Sequence, residues 1–168
     1  DVVITHRTCD YHPDHRITAQ IVLDCSFIVR VPLYCPDVPV PAKTPVFAFC
    51  YDAFTKPAPF RADAVSEIDS VLEGKLRMLD CHASQFYEWL PFNSFGIDRL
   101  DAKSMSWREK KELILKLLPI NKTCAGLFRR QLARVYGAGK KIEHAEAFEA
   151  SEYGRTVEPA QFQALFEP

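Results

Sequence analysis

Four residues of high β propensity, Val2-Val3-Ile4-Thr5, run straight into a polar, turn-rich segment from His6 to Asp14 and then into a helical period. In that period Ile17, Ile21, Val22, Cys25, Ile28 and Val29 recur at steps of three and four, and Asp14 is placed to cap the N-terminus. Strand, loop and helix in this order make the first half of a βαβ unit. That unit points the chain to an α/β fold, with Val2 to Thr5 as a buried, parallel strand. In such sheets ligands collect beyond the carboxyl ends of the strands, which is where a loop carrying His6, His12 and His15 must lie.

The rest of the chain continues the pattern. Residues 31–45 hold five of the twelve prolines (Pro32, Pro36, Pro39, Pro41 and Pro45) and can form neither a helix nor a central strand. A second strand is expected over Val46 to Tyr51 and a short third over Ala64 to Ile68. A helix follows from the capping box Ser70-x-x-Glu73, with Leu72, Leu76, Leu79, Ala83, Phe86 or Tyr87, and Leu90 on its apolar face, ending at Pro91. Phe92 to Lys103 reads as loop. Ser106-x-x-Glu109 opens another helix that Pro119 stops, and Thr123 to Tyr136 forms one more, ended by Gly137-Ala138-Gly139. Ile142 to Tyr153 is expected as an edge strand and Pro159 as the start of a terminal helix. No repeat or domain boundary interrupts the order, so residues 1–168 are read as one domain.

With 48% apolar and 12% aromatic residues the chain can bury a real core, and disorder is excluded on composition. The formal net charge is −1 and the basic residues form only short pairs such as Lys110-Lys111 and Arg129-Arg130, read here as solvated helix faces. A nucleic-acid partner is therefore not expected, and no apolar run approaches the length of a membrane span. Six cysteines are scattered without a C-x-x-C pair, which suits reduced, mostly buried thiols and a cytoplasmic location.

The chemistry concentrates in His12-Pro13-Asp14-His15. A neutral imidazole is a good zinc ligand. A second imidazole nearby can hydrogen-bond a developing oxyanion or protonate a leaving amine. A carboxylate between them can fix a tautomer, and Pro13 stiffens the turn so that the rings project differently. On spacing alone two readings stand: one wall of a metal site, or the capped first turn of a helix.

The segment from Asp1 to Arg16, with Asp10-Tyr11-His12-Pro13-Asp14-His15-Arg16 at its centre and Thr18-Ala19 after it, resembles the second signature block of the LmbE-like, or PIG-L, family. Leu76 to Gln85 and Ala145-Glu146-Ala147-Phe148 add supporting matches. The resemblance implies a Rossmann-like three-layer α/β/α fold, of which this chain would be an incomplete, C-terminal portion. It also implies zinc-dependent hydrolysis of the N-acetyl group of an N-acetylglucosamine-type small molecule. By position, His15 matches the zinc-ligating histidine, His12 the histidine that stabilises the tetrahedral intermediate or acts as general acid, and Asp14 the carboxylate hydrogen-bonded to it. Asp10, Tyr11 and Arg16 fall where substrate hydroxyls could be reached. The family's His-Pro-Asp-Asp-Glu block, which brings two more ligands and the general base, is missing from the sequence. The chain as given is thus expected to be inactive alone, and a non-catalytic binding module of the same fold is the alternative. An exposed first strand would favour self-association into a homo-oligomer. His82 and His144 are read as structural, the aromatic stripe of Phe86, Tyr87, Trp89, Phe92 and Trp107 as core, and Glu146 has no assigned role.

Overall fold

The computed structural model describes residues 1–167. Its four strands are β1 (Val2–Thr5), β2 (Val46–Cys50), β3 (Ala64–Glu67) and β4 (Ala145–Gly154), in the sheet order β1-β2-β4-β3. β1 and β2 pair in parallel, and β4 lies antiparallel between β2 and β3. The carboxyl ends of β1, β2 and β3 therefore share one edge of the sheet with the start of β4.

Strand alternation splits the core. Val65, Ala145 and Ala147 point to one face and pack with Cys124, Ala125 and Leu132 from helices α5 (Ile120–Leu127) and α6 (Arg129–Tyr136). Ala64, Phe148, Val46 and Ala48 pack with Phe162 of α7 (Pro159–Ala164). A third cluster, Leu76, Phe86, Tyr87 and Ile114, joins α2 (Leu72–Asp80) to α4 (Trp107–Leu117). The fold is mixed α/β, as expected, and no helix of the described residues is long and apolar enough to cross a membrane.

Several local expectations are corrected. β4 is an inner strand, not an edge. Because Ala145, Ala147 and Phe148 are all buried, with both faces covered, it lacks the polar–apolar alternation of a half-exposed strand. Helix α1 (Pro13–Ile28) begins two residues earlier, with His12 as N-cap in place of Asp14 and Pro13 in the first turn. It buries Ala19, Leu23 and Ser26, leaving Ile17 and Ile21 exposed. The small side chains at 19 and 26 let the helix sit close against its neighbours, and the sequence period had two candidate stripes to choose from.

The box at Ser70 does not form. Val71 is the N-cap of α2 without a side-chain bond, and Glu73 instead accepts from Trp107 Nε1 and Lys111 Nζ, tying α2 to α4. Pro91 does not end the helical run. A π-helical turn, Gln85–Trp89, passes into α3 (Leu90–Phe95), where Pro91 occupies the first turn and needs no backbone donor, and Gly96 at φ 67° closes it. Phe86 and Tyr87 are core, but Trp89 and Phe92 are exposed. The box at Ser106 and Glu109 is present. The thiols are all free, but Cys25, Cys35 and Cys81 are exposed, contrary to the expectation of burial. Burial pushes Cys124 up to about 12, which leaves it an inert packing group.

Gly154 ends β4 at φ +82°, and a Cβ there would lie 2.4 Å from Phe47 Cδ2 and 2.8 Å from the Pro45 carbonyl. Gly154→Ala is expected to destabilise the fold by about 1–3 kcal/mol, read as a lower urea midpoint at unchanged slope. An unchanged midpoint would mean that Phe47 and Pro45 yield freely.

Candidate active site at the carboxyl end of the sheet

β1 ends at Thr5, and the loop that follows turns back on itself before α1. Asp10 organises this turn. Its Oδ1 accepts from the His12 backbone N–H at 2.9 Å and lies 2.9 Å from His15 Nδ1. Arg16, reaching back from the first turn of α1, donates from Nη1 to the carbonyl oxygens of Asp10 and Tyr11 at 2.6 and 2.9 Å. The loop is thereby closed by short-range bonds among residues that are near neighbours in sequence.

The imidazoles gather around His15. His6 stacks on it with ring centroids 4.3 Å apart and planes within 6°, and His12 lies 5.0 Å away at 35°. Tyr11, largely exposed, stands edge-on to both His12 and His15 at 5.8 and 5.6 Å. All four rings thus gather at the end of β1.

Two tautomers follow from the bonds. Asp10 takes up Nδ1 of His15, so Nε2 is left for a ligand, the arrangement in which a carboxylate orients a metal-binding imidazole. His12 Nδ1 accepts the Asp14 backbone N–H at 3.2 Å. The remaining nitrogen, Nε2, then carries the proton and is a donor.

The donors here are of the nitrogen and carboxylate types that zinc takes. Ligand atoms of His6, Asp10 and His15 lie within 4.8 Å of one another, which places three donors of suitable type in one spot. His15 fits directly. His6 fits less well, because its lone pairs lie in a plane parallel to that of His15, and both cannot aim at one ion without a ring rotating. Asp10 already serves His12 and His15.

Positions from the sequence reading divide accordingly. His12, His15, Asp10 and Tyr11 are brought together. Asp14 is not bonded to the His12 ring through its carboxylate, which is highly exposed and 3.9 Å from Nδ1; its backbone N–H makes that bond. Arg16 is a loop clasp, since its guanidinium is spent on backbone carbonyls. Asp10 buttresses His15 where a direct substrate contact had been expected. His144 is structural, held by Asp69 at 2.8 Å. Glu146 pairs with Lys75.

Sequence reasoning missed Arg7 altogether. Buried beside the site, it bonds both Asp52 carboxylate oxygens, at 2.8 and 2.5 Å, and the carbonyls of Phe54 and Ala58, both at 2.8 Å. It pins the loop after β2 against the loop after β1. The only available signal was a charged residue following each of two strands, Arg7 and Asp52, and nothing in one dimension pairs them.

Burial, and then the neighbouring His15 ring, push His6 below its ordinary 6.5, while Asp10 and Asp52 pull the other way. Below pH 6.5 the unfolded chain takes up a proton that folded His6 does not. This group's contribution to stability is therefore complete above 6.5 and lost as pH falls through that value towards the lowered folded one. Denaturant titrations between about pH 7.5 and about pH 5.5 should show a downward slope that His6→Asn flattens. An unaltered slope would assign it to other groups.

No protein-family model matches the chain, and no curated protein matches its sequence significantly. The fold is similar to that of the crystal structure of GalB, the 4-carboxy-2-hydroxymuconate hydratase from Pseudomonas putida KT2440, with a TM-score of 0.57 and 15% identity. The match covers 94% of this chain and 54% of that one, so the chain spans about half the length of its structural neighbour. At that identity the likeness concerns the fold.

Proposed function

We propose that this chain forms one wall of the active site of a zinc-dependent N-deacetylase acting on N-acetylglucosamine-type small molecules, in the LmbE-like manner. The observation that carries the reading is the pairing of two histidines with opposite hydrogen-bonding roles. His15 keeps Nε2 free as an acceptor behind the Asp10 carboxylate, while His12 keeps Nε2–H as a donor, and their rings are 5.0 Å apart.

A zinc ion bound through His15 would supply acidity that lets water act as a nucleophile near neutral pH. The chain's own residues do the rest of what this wall can do. His12 donates to the acetamide oxygen as negative charge develops on it, a role whose loss typically costs about 10²–10³ in rate. Asp10 holds the His15 ring, Tyr11 offers a hydroxyl at the open side, and Arg16 keeps the loop carrying all of them closed. Catalytic zinc sites take three protein ligands; the remaining ligands and the general base would come from the whole protein, not from His12 or Asp14.

The neighbour GalB is a hydratase, and water addition to a double bond would use the same donor and the same activated water. Acetate release from N-acetylglucosamine conjugates, set against hydration of an unsaturated tricarboxylate, separates the two. Zinc titration of the chain alone gives the first test: weak single-site binding that His15→Ala removes. Zinc binding indifferent to His15 would sink the reading.

A further inference from the structure

A second concave site lies away from the histidines, at the β3–β4 side of the sheet. Helices α5 and α6 and the loop 137–143 enclose a recess of about 530 Å³, within the range of small-molecule sites. Its floor is made of small or apolar residues, among them Ala125, Leu132 and Ala133, and its rim carries Lys122, Arg129, Lys140 and Lys141 against a single carboxylate, Glu143. In a chain with a net charge of −1, this is a strong local excess of positive charge.

The four cations are not equivalent. Lys140 is held by Glu67 at 3.1 Å, and Lys141 by Glu143. Lys122 and Arg129 have no ion-pair partner among the described residues, nor do Arg130 and Arg134, which line the adjoining hollow with Arg129. Arg130 and Arg134 are four apart on one helix, a spacing at which like charges repel. Gly137, at φ +91°, lets the chain turn back sharply after α6, and the Lys140 N–H closes that turn on the Gly137 carbonyl at 3.2 Å. The turn carries Lys140 and Lys141 to the rim.

We propose that this recess binds a phosphate-bearing small molecule. Arg129 offers a planar fork and Lys122 a compact charge, the pair of donors that grips phosphate oxygens. The small-residue floor leaves room for an uncharged remainder. Gly126 stands at the exposed mouth of the recess, where a Cβ would meet nothing within 4 Å. The site is independent of the deacetylase reading and shares no residue with it.

The test uses the full chain and inorganic pyrophosphate, followed by calorimetry at low salt. Saturable binding of one pyrophosphate per chain is expected, weakening as salt is raised. Lys122→Met and Arg129→Met should each lower the affinity at least about tenfold. Arg108→Met, on α4 and paired with Glu112, should leave it unchanged. Gly126→Leu keeps every charge, suits a helix better than glycine and sets a bulky side chain across the mouth, so it should abolish binding without lowering Tm. Binding that survives Gly126→Leu would show diffuse surface attraction and overturn the proposal. So would the absence of saturable binding, or capture of heparin with no affinity for pyrophosphate, which would point to a macromolecular polyanion.

Discussion

His12→Ala, made in the whole protein, is expected to cut hydrolysis of the N-acetyl group about 10²–10³-fold while bound zinc stays near normal. His15→Ala is expected to remove zinc and activity together. The asymmetry follows from the bonds each ring makes. His15 has its Nδ1 occupied by Asp10 at 2.9 Å and offers Nε2 as a lone pair. His12 has its Nδ1 occupied by the Asp14 backbone N–H at 3.2 Å and offers a proton. One ring is built to accept and the other to give. Asp10→Asn keeps the shape but loses the charge behind His15, and second-shell changes of this kind typically cost about 10–100-fold in metal affinity. Asp14→Ala leaves the backbone N–H in place, so it should reduce turnover far less than His12→Ala. Metal content by atomic absorption beside acetate release measures both. Equal loss of zinc in the His12 and His15 variants would show that the two roles are wrongly divided.

The second large effect is expected in stability. Arg7→Ala should destabilise the fold by about 3–5 kcal/mol, the usual result of removing one partner of a buried ion pair and leaving the other charge uncompensated. The Arg7 side chain is 8% exposed and that of Asp52 13%, so water can do little to solvate the carboxylate left behind. The same guanidinium satisfies the carbonyls of Phe54 and Ala58, which fixes the loop after β2. Glu149 lies 3.9 Å away and adds to the field without a direct bond. Arg7→Lys should recover only part of the loss, because an ammonium cannot reproduce the planar fork that spans both Asp52 oxygens. Denaturant midpoints give the stability, and proteolytic cleavage within 52–60 gives the loop. A loss below about 1 kcal/mol would place the pair among weak surface bridges.

The sequence by itself determined whatever depended on near neighbours. Val2 to Thr5, the polar turn and the helix after it are local, and so is the coming together of His12 and His15, which lie three apart across a proline. The helix of Ser106 to Leu117 was legible because its capping box closes within four residues and leaves both partners no better use. The box at Ser70 had the same letters and failed, because Glu73 found Trp107 and Lys111 across a helix interface. That competition is invisible in one dimension.

Tertiary structure alone decided which stripe of α1 faces inward, since both Ile17-Ile21 and Ala19-Leu23-Ser26 satisfy a helical period and only close packing prefers the smaller one. It decided that β4 runs inside the sheet, because a strand buried on both faces loses the alternation by which strands are recognised. It also changed the carboxylates of the site. The sequence offered Asp14, between the two histidines, as the group that orients a ring. The folded loop instead turns Asp10 onto His15 and leaves Asp14 in solvent, because Arg16 and the His12 N–H draw the Asp10 turn inward. Arg7 and Asp52, 45 residues apart, meet only because β1 and β2 are parallel neighbours and their carboxyl ends share one edge. Residue types chose the chemistry available at that edge; the parallel pairing chose which of them could use it.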